Sequence, residues 1–419
     1  MIVTIGSRGD VLPFIALAHG LLARGHVVRI ATSTKHEEFI TGAGIDFVRV
    51  RPDPSRRPRP EKERGNVPRF ERMLAEVIAP SIADGHEDLV AACADGACDL
   101  LLSSLAPIAP MAAETLGIPW APAVLQPIVF LSASDPPVMP GAPWLAPLGR
   151  FGRLHGVPLR AAALAVLRNA ARSFATARRC MGLLPASDPL LNWAVPPPFC
   201  LALFSPDLAA GQADWLGGVR PTGFCRWQYG TVPPEVDAFL SEGSPPLVVS
   251  LGSSMVKNTI LPRIIHSAAI QAAGHAGLRC LLLVGTEENM AALPAPLPSG
   301  CLAVIGAPHA LVFPHAAAIL HHGGAGTTGE AMRAGRPMLV TPFAFDQFDN
   351  AARMVRCGVA ASRAARRVNT ASLKAMLQKI LEPSVIARAT ALGARVRAED
   401  GVGAACDVIE DWLRRTRGA

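Results

Sequence analysis

Two series of short apolar segments alternate with longer segments of helical periodicity, and this alternation restricts the fold more than any other feature. The first series is IVTIG, VVRIAT, GIDFVRV, CDLLLSS and IPWAPAVL. The second is LVVSLG, LRCLLLVG, CLAVIG, AAILHH and RPMLVTPF. Short apolar strands separated by helices form parallel sheets covered by helices on both faces. The sequence therefore predicts an α/β protein with two doubly wound domains.

The chain has 419 residues, which exceeds the size of one ordinary hydrophobic core. We expect an N-terminal domain over 1–215, a linker over 216–245 and a second domain over 246–395. A helical tail over 396–419 follows. Helical spacing predicts a first helix over 10–24 and another over 158–181.

Composition excludes some classes of partner. The net charge is +7 but aromatic residues make up 5%, and basic residues do not alternate with aromatic ones, so nucleic-acid binding is not expected. The basic, proline-rich segment 51–72 is typical of a solvated loop, with contact to an anionic membrane surface as the alternative. No signal peptide or membrane-spanning run is recognised, and the nine cysteines form no CxxC pairs. We expect a cytoplasmic protein with reduced thiols, in peripheral contact with a membrane at most.

One glycine-rich turn carries the strongest chemical signal. The strand AAIL runs into His321-His322-Gly-Gly-Ala-Gly-Thr-Thr, and a helix follows. Glycines let a ligand approach the backbone, and amides at a helix start bind anions together with the hydroxyls of Thr327 and Thr328. The imidazole of His322 adds a donor, so the turn suits a diphosphate held without a metal. The alternative is a turn that merely permits tight packing.

Two downstream features extend this site. Glu330 lies in the helix after the turn, where its carboxylate could accept hydrogen bonds from ribose hydroxyls. Asp346-Gln347 follows the next strand, and an acid beside an amide suits recognition of sugar hydroxyls.

These residues resemble the donor-site signature of family 1 glycosyltransferases, which have the GT-B fold of two Rossmann-like domains facing a cleft. The matching pieces are GAPH at 306–309, HGGAGT at 322–327, Glu330 and Asp346-Gln347. The phrases GSRGDVLP, PHALVFP and HHGGAGTT are similar to the branch with sterol glucosyltransferases, lipid rhamnosyltransferases and bacterial natural-product glycosyltransferases. The GT-B fold also implies that the C-terminal helix crosses back to the first domain.

The resemblance implies a role for each donor-site residue. Donor diphosphate would be held by His322 and by the backbone of Gly324, Ala325, Gly326 and Thr327, ribose by Glu330, and the sugar by Asp346 and Gln347. Ser253 and Ser254 would line the nucleotide, although an ordinary helix-capping turn is the alternative. Plant members carry Trp where this chain has Gly306, so base recognition would rest on main-chain contacts and packing near Ala307.

Asp10 is the candidate catalytic base. It follows the first strand, at the end where a doubly wound sheet opens its crevice, and stands three residues before Pro13. In plant relatives a His occupies the corresponding position. The alternative is that Asp10 only caps the first helix. No Asp-x-Asp pair occurs in the sequence, so we expect no metal and no cofactor beyond the nucleotide sugar.

The acceptor site is expected in the first domain. An apolar, proline-stiffened stretch over 121–160 predicts a hydrophobic acceptor such as a sterol, polyketide or terpenoid. The alternative is that its aromatic residues only seal the core. The candidate acceptor-binding residues are Trp120, Gln126, Phe130, Met139 and Trp144.

Together these features predict an inverting, metal-independent hexosyltransferase, with UDP-glucose favoured as donor and a dTDP-deoxysugar as the other candidate. A non-catalytic homologue acting as a binding protein is the alternative. An NAD-dependent oxidoreductase is disfavoured, because GSRGD lacks the GxGxxG spacing. The sequence leaves open whether the chain is a monomer or a homodimer.

Overall fold

The computed structural model describes residues 1–51, 79–94, 96, 98–104, 106–170, 172–185, 196–216, 219–252 and 260–417. Most of the basic segment 51–72 and both Ser253 and Ser254 lie outside these ranges. Within the described ranges, no helix is long and apolar enough to span a membrane. All nine cysteines are free thiols, six of them buried.

The first half forms a six-stranded parallel sheet with strand order β3-β2-β1-β4-β5-β6. Ile2 pairs with Ile30 on one side and with Leu102 on the other, so the strand order reverses beside β1. The strands are β1 (Ile2–Val3), β2 (Arg29–Thr32), β3 (Asp46–Arg49), β4 (Leu101–Ser103), β5 (Trp120–Val124) and β6 (Leu201–Ala202).

The second half repeats this topology with strand order β12-β11-β10-β7-β8-β9. Here the order reverses between β7 and β10, where Ala318 pairs with Leu247. Both sheets therefore have the Rossmann order, and each opens a crevice beyond the carboxyl ends of its central strands. The strands are β7 (Leu247–Ser250), β8 (Cys280–Leu283), β9 (Cys301–Val304), β10 (Ala318–His321), β11 (Met338–Val340) and β12 (Ala360–Ser362).

Helices cover both faces of each sheet. Those of the first half are α1 (Arg8–Ala23), α2 (Glu37–Thr41), α3 (Ile82–Ala92), α4 (Ile108–Leu116), α5 (Arg153–Ala170) and α6 (Arg172–Cys180). Those that follow are α7 (Pro234–Ser241), α8 (Ile260–His275), α9 (Glu287–Ala291), α10 (His309–Val312), α11 (Ala325–Ala334), α12 (Gln347–Arg356), α13 (Thr370–Ile380), α14 (Pro383–Ala398) and α15 (Gly401–Arg417).

The cores lie against the sheet faces. β1 is buried on both sides, with Ile2 packed in the cluster that holds Phe14 and Leu17 of α1, and Val3 in a separate cluster with Met111 of α4. The central strands of the second sheet are likewise fully buried. Burial on both faces explains why these strands are continuous apolar runs rather than alternating ones.

Several element boundaries differ from the sequence predictions. The helix predicted over 158–181 begins earlier, at Arg153, with Pro158 in its interior, and its described residues end at Cys180. Helix α7 lies inside the segment predicted as linker. Strands β6 and β12 were not predicted, because two or three residues rich in alanine give no strand signal.

The chain passes between the two halves at two places that touch. After β6 it passes through Gly223, Trp227 and Gly230, and it returns at Gly401 between α14 and α15. A Cβ atom on Gly401 would lie 2.6 Å from the backbone carbon of Gly223, which itself has φ +106°. Only glycines allow the two crossings to approach this closely.

Candidate active site

A cleft of about 1450 Å³ lies between the two halves and is lined by residues of both. It lies beyond the carboxyl ends of β1 and β4 in the first sheet and of β7 and β10 in the second. This is where open α/β sheets bind ligands. Of the sixteen described residues that the sequence analysis assigned to the site, thirteen line this cleft.

The glycine-rich turn after β10 forms part of the cleft wall. Gly323 has φ +91°, and Gly324 precedes the first residue of α11, so the free amides of that helix face the cleft. Ala325, Gly326 and Thr327 line it as predicted, whereas Thr328 is fully buried and offers its hydroxyl to no ligand. Backbone amides at this helix start can bind an anion.

The His322 imidazole packs between two glycines. A Cβ on Gly252 would lie 2.3 Å from its Cε1 atom, and a Cβ on Gly324 would lie 2.4 Å from its Nε2 atom. Burial, and to a lesser degree His309, lowers the pKa of His322 to about 4. The ring is therefore neutral at pH 7 and can present one N–H group to a ligand.

His309 and Ser250 form a pair that the sequence analysis did not assign to the site. The Ser250 hydroxyl lies 2.9 Å from Nε2 of His309, whose ring stacks on Phe313 with centroids 4.4 Å apart. Both residues of the pair line the cleft. His309 was noted beside Pro308, but its partner lies on β7, and a single sequence carries no signal for that contact.

Glu330 lines the cleft, but its carboxylate already accepts hydrogen bonds from another side chain and is therefore shared with any ribose that binds there. Arg226, from the crossing segment, donates from Nε to both carboxylate oxygens of Glu330, at 3.0 and 3.4 Å. Burial nevertheless raises the pKa of Glu330, and Arg226 opposes that shift. Sequence reasoning missed Arg226, because its segment has neither periodicity nor a motif.

Asp346 and Gln347 open helix α12 at the cleft. Asn350 donates to Oδ2 of Asp346 at 2.8 Å. Burial, followed by the negative charge of Asp10, raises the pKa of Asp346 to about 7. The Gln347 side chain is buried, and its Oε1 accepts hydrogen bonds from the amides of Phe343 and Ala344, at 2.8 and 3.1 Å. A ligand can therefore use the Gln347 amide nitrogen, while its oxygen fixes the loop.

Asp10 lies in the first turn of α1, which begins at Arg8, two residues before the predicted start. Ser7 is the N-cap, and Asp10 at the third helical position completes a capping box with it, so the alternative that Asp10 caps the helix holds from that position rather than from the N-cap itself. Oδ2 of Asp10 accepts from the Ser7 amide at 2.8 Å and from the Ser7 hydroxyl at 2.9 Å. Among the described residues no hydrogen bond reaches Oδ1, which leaves one carboxylate oxygen for a substrate.

The surroundings of Asp10 keep its carboxyl close to the backbone. Burial raises its pKa, and the hydrogen bonds from Ser7 oppose that shift. A Cβ on Gly6 would lie 2.4 Å from Oδ2, and Gly6 has φ +148°, so this position requires glycine. The buried His36 places Nε2 3.1 Å from the Gly6 carbonyl oxygen and thereby supports the turn.

The candidate acceptor residues divide into two groups. Trp120, Gln126 and Met139 line the cleft. Phe130 does not, because it is buried and stacks on Trp215 with ring centroids 4.3 Å apart. Trp144 does not either, since it lies on the surface with 75% of its area exposed. The other apolar lining residues include Leu145, Leu159, Ala163, Val166 and Leu167.

Two known domains match parts of the chain. The N-terminal domain of glycosyltransferase family 28 matches residues 1–127, which include β1–β5. The C-terminal domain of erythromycin biosynthesis protein CIII-like proteins matches residues 280–403, which include the glycine-rich turn.

Similar proteins cover nearly the whole chain. It is 32% identical to O-mycaminosyltylonolide 6-deoxyallosyltransferase of Streptomyces fradiae, over 98% of this chain and 96% of that protein. It is also 32% identical to sterol 3-beta-glucosyltransferase of Aspergillus fumigatus, over 97% of this chain. The chain spans 29% of the length of that fungal protein.

Solved structures share the same fold. The spinosyn rhamnosyltransferase SpnG superposes with a TM-score of 0.69 at 20% identity, covering 98% of this chain and 99% of that one. It has also been solved in complex with thymidine diphosphate. The glycosyltransferase SnogD from Streptomyces nogalater gives 0.68 at 18% identity, covering 98% of each chain.

Proposed function

The chain belongs to the family of GT-B glycosyltransferases that includes these relatives, and we propose that it transfers a hexose from a nucleoside diphosphate sugar to a hydroxyl group of a hydrophobic acceptor. One observation carries the proposal. Asp10, at the start of α1 in the first half, and Asp346, at the start of α12 in the second, line the same cleft, and the charge of Asp10 contributes to the raised pKa of Asp346. A candidate base and a candidate sugar-binding group therefore share one cleft.

The donor diphosphate would lie at the start of α11. The helix dipole and the free amides of Ala325, Gly326 and Thr327 favour negative charge there, and His322 adds a neutral donor. These groups can stabilise the departing diphosphate without a metal ion, and the sequence has no Asp-x-Asp pair for a metal clamp of that type. We therefore propose a metal-independent reaction.

The sugar and nucleoside would occupy the second half of the cleft. Asp346 and the Gln347 amide nitrogen would hold the hexose, and the Glu330–Arg226 pair would lie at the ribose. Ala307 lines the cleft on the side where the base would lie. The names of the relatives, a deoxyallosyltransferase and a sterol glucosyltransferase, agree with a hexose donor, and the thymidine diphosphate complex of the spinosyn rhamnosyltransferase agrees with a nucleoside diphosphate carrier.

The chemistry would proceed by direct displacement. Oδ1 of Asp10 accepts the proton of the acceptor hydroxyl, whose oxygen forms a bond to the anomeric carbon. The bond from that carbon to the diphosphate oxygen breaks on the opposite face, so the configuration inverts. A raised pKa suits Asp10 to this role, because a general base works best with a pKa near the operating pH.

The acceptor would be apolar. Trp120 and Met139 join the apolar wall formed by β5, the loop after it and α5, and this wall lies on the same side of the cleft as Asp10. The sterol named as acceptor in several of the relatives agrees with an acceptor of this kind.

Transfer assays with UDP-glucose, dTDP-glucose and dTDP-rhamnose against sterol and macrolide acceptors test the proposal. Asp10→Asn keeps a side-chain oxygen that can accept the hydrogen bonds from Ser7. The variant should lower kcat by about 10²–10⁴-fold with little change in donor KM. His322→Ala should instead weaken donor binding. Asp46→Asn, at an exposed carboxylate on β3, is the matched control and should leave both values unchanged.

Full transfer activity in Asp10→Asn would refute the base assignment, and unchanged donor affinity in His322→Ala would refute the diphosphate site. Wild-type protein that binds a donor but transfers to no acceptor in the panel would support the non-catalytic alternative.

A further inference from the structure

Exposed apolar side chains are concentrated on one stretch of the first half. Five of the fourteen exposed large hydrophobic side chains of the described residues fall between positions 144 and 157. Trp144 is 75% exposed, Leu154 85% and Val157 52%. A concentrated apolar patch of this kind marks an interaction site more often than scattered single residues do.

Helix α5 is fixed on its inner side and apolar on its outer side. Inside, a Cβ on Gly156 would lie 2.0 Å from the Ala133 carbonyl oxygen, and Ala163 and Leu167 are buried. Outside, Leu154 and Val157 are exposed, and the small residues Ala161 and Ala165 continue that face. The helix therefore presents an apolar face that no other described element covers.

The charged side chains of this region are all basic. The sequence has no Asp or Glu between Asp135 and Asp188, whereas it has seven arginines there. Arg178 is buried against Glu114, but Arg153, Arg168, Arg172 and Arg179 are exposed. Among the described residues, no carboxylate lies within ion-pair distance of Arg168 or Arg172. We call the outer side of the described residues 143–170 and 172 the apolar-basic face.

A basic face with protruding apolar side chains is complementary to an anionic lipid bilayer. Arginines attract acidic headgroups, while tryptophan and leucine insert at the boundary of headgroups and acyl chains. A second copy of this chain fits less well, because a symmetric contact through this face would bring two sets of arginines together.

We propose that the apolar-basic face docks the protein on anionic membrane surfaces. This goes beyond the proposed transfer reaction and does not depend on it. Its position is informative, because Leu159, Ala162 and Val166 of the same helix line the cleft. Docking through the outer side of α5 brings the apolar end of the cleft to the lipid boundary, where a hydrophobic molecule can enter without crossing water.

Co-sedimentation with vesicles tests the proposal. The wild-type protein should bind vesicles of phosphatidylcholine and phosphatidylglycerol but not vesicles of phosphatidylcholine alone. The double variant Trp144→Ser/Leu154→Ser should lose about tenfold or more in partitioning, and Arg168→Gln/Arg172→Gln should lose a similar factor that vanishes at high salt.

Two variants outside the apolar-basic face serve as controls for vesicle binding. Val27→Ser changes an 89% exposed side chain outside this face, and Arg414→Gln removes an exposed charge from α15; neither should alter vesicle binding. Circular dichroism checks that the surface variants are folded. Absence of wild-type binding to anionic vesicles, or equal losses in variants and controls, would overturn the proposal. So would a dimer in light scattering that Trp144→Ser/Leu154→Ser converts to monomer.

Discussion

At the scale of single residues, Asp10 and Asp346 lie in environments that disfavour charge on their carboxyl groups. Asp346 has its ordinary pKa of 3.8 raised to about 7, first by burial and then by Asp10. The hydrogen bond from Asn350 lowers the pKa of Asp346, but it offsets only part of the rise. Asp346 is therefore a mixture of charged and neutral carboxyl groups near pH 7.

This shift makes stability depend on pH in a definite direction. Between about pH 4 and pH 7 the folded protein keeps a proton on Asp346 that the unfolded chain has released, so the free energy of unfolding falls as pH rises through that window. Asp346→Asn should reduce the fall, and the variant should be more stable than the wild type at pH 8. Urea denaturation at pH 5 and pH 8 measures both values.

Asp411→Asn, at a carboxylate with 60% of its side chain exposed, is the control and should behave like the wild type. The same pH slope in the wild type and in Asp346→Asn would show that Asp346 titrates normally.

Motif spacing predicted the site residues that follow their strands closely. His322, Glu330 and Asp346 all come from one stretch of 25 positions, and the structure brings them to one cleft. Arg226 and Ser250 were missed because each meets its partner only through the tertiary fold. Phe130 and Trp144 do not line the cleft, because hydrophobicity does not tell which side of a short helical turn faces a cavity.

At the scale of elements, α12 is tied to the proline-rich loop of the first half. Arg353, buried on α12, pairs with Asp135 of that loop and, at 2.8 Å, with the fully buried Asp349. Oδ1 of Asp349 accepts from the Val138 amide at 3.0 Å, one residue before Met139 of the cleft wall. The helix that opens with Asp346 thus also positions the acceptor loop.

Arg353→Met should therefore destabilise the protein by about 3–5 kcal/mol, because it leaves the buried Asp349 carboxylate without its counter-ion. Arg356 lies on the same helix and pairs with the same Asp135, but 49% of its side chain is exposed. Arg356→Met should cost about 1 kcal/mol or less. Urea denaturation compares the two variants, and equal losses would show that the buried network contributes no more than a surface pair.

The elements themselves were predictable where the apolar runs are long. Ten of the twelve strands lie inside predicted segments, because most of them, though not β3 and β9, are buried apolar runs. The predicted segments were longer than the strands, since an apolar run continues into the turn that follows it. In β1, for example, pairing stops at Val3 and Gly6 already belongs to the turn before α1.

At the scale of the whole molecule, the last helix completes the first core. Cys406 and Ile409 of α15 are buried with Leu17 and Leu21 of α1, and a Cβ on Gly20 would lie 2.4 Å from Val402. Arg24 adds ion pairs to Asp407 and Glu410 at 2.6 and 2.9 Å. The repeated alternation predicted two sheets, but only the family resemblance indicated this return of the chain, since local periodicity does not say which surface a helix covers.

Ile409→Ala should consequently lower the free energy of unfolding by about 2–5 kcal/mol, although the residue lies near the end of the chain. Ile386, on the neighbouring helix α14, is 37% exposed, and Ile386→Ala should cost much less. Thermal and urea denaturation of both variants measure the difference. Similar small losses in both would mean that α15 is a dispensable tail.

The contact between Gly223 and Gly401 has a consequence for protein engineering. Because the half that carries Asp10 is built from two separate stretches of chain, a chimaera that borrows this half from a relative needs two junctions. The natural places are these two glycines, where both crossings can be cut at one point in space. A chimaera with one junction would instead place the last helix of one parent against the first helix of the other, across an interface that never evolved together.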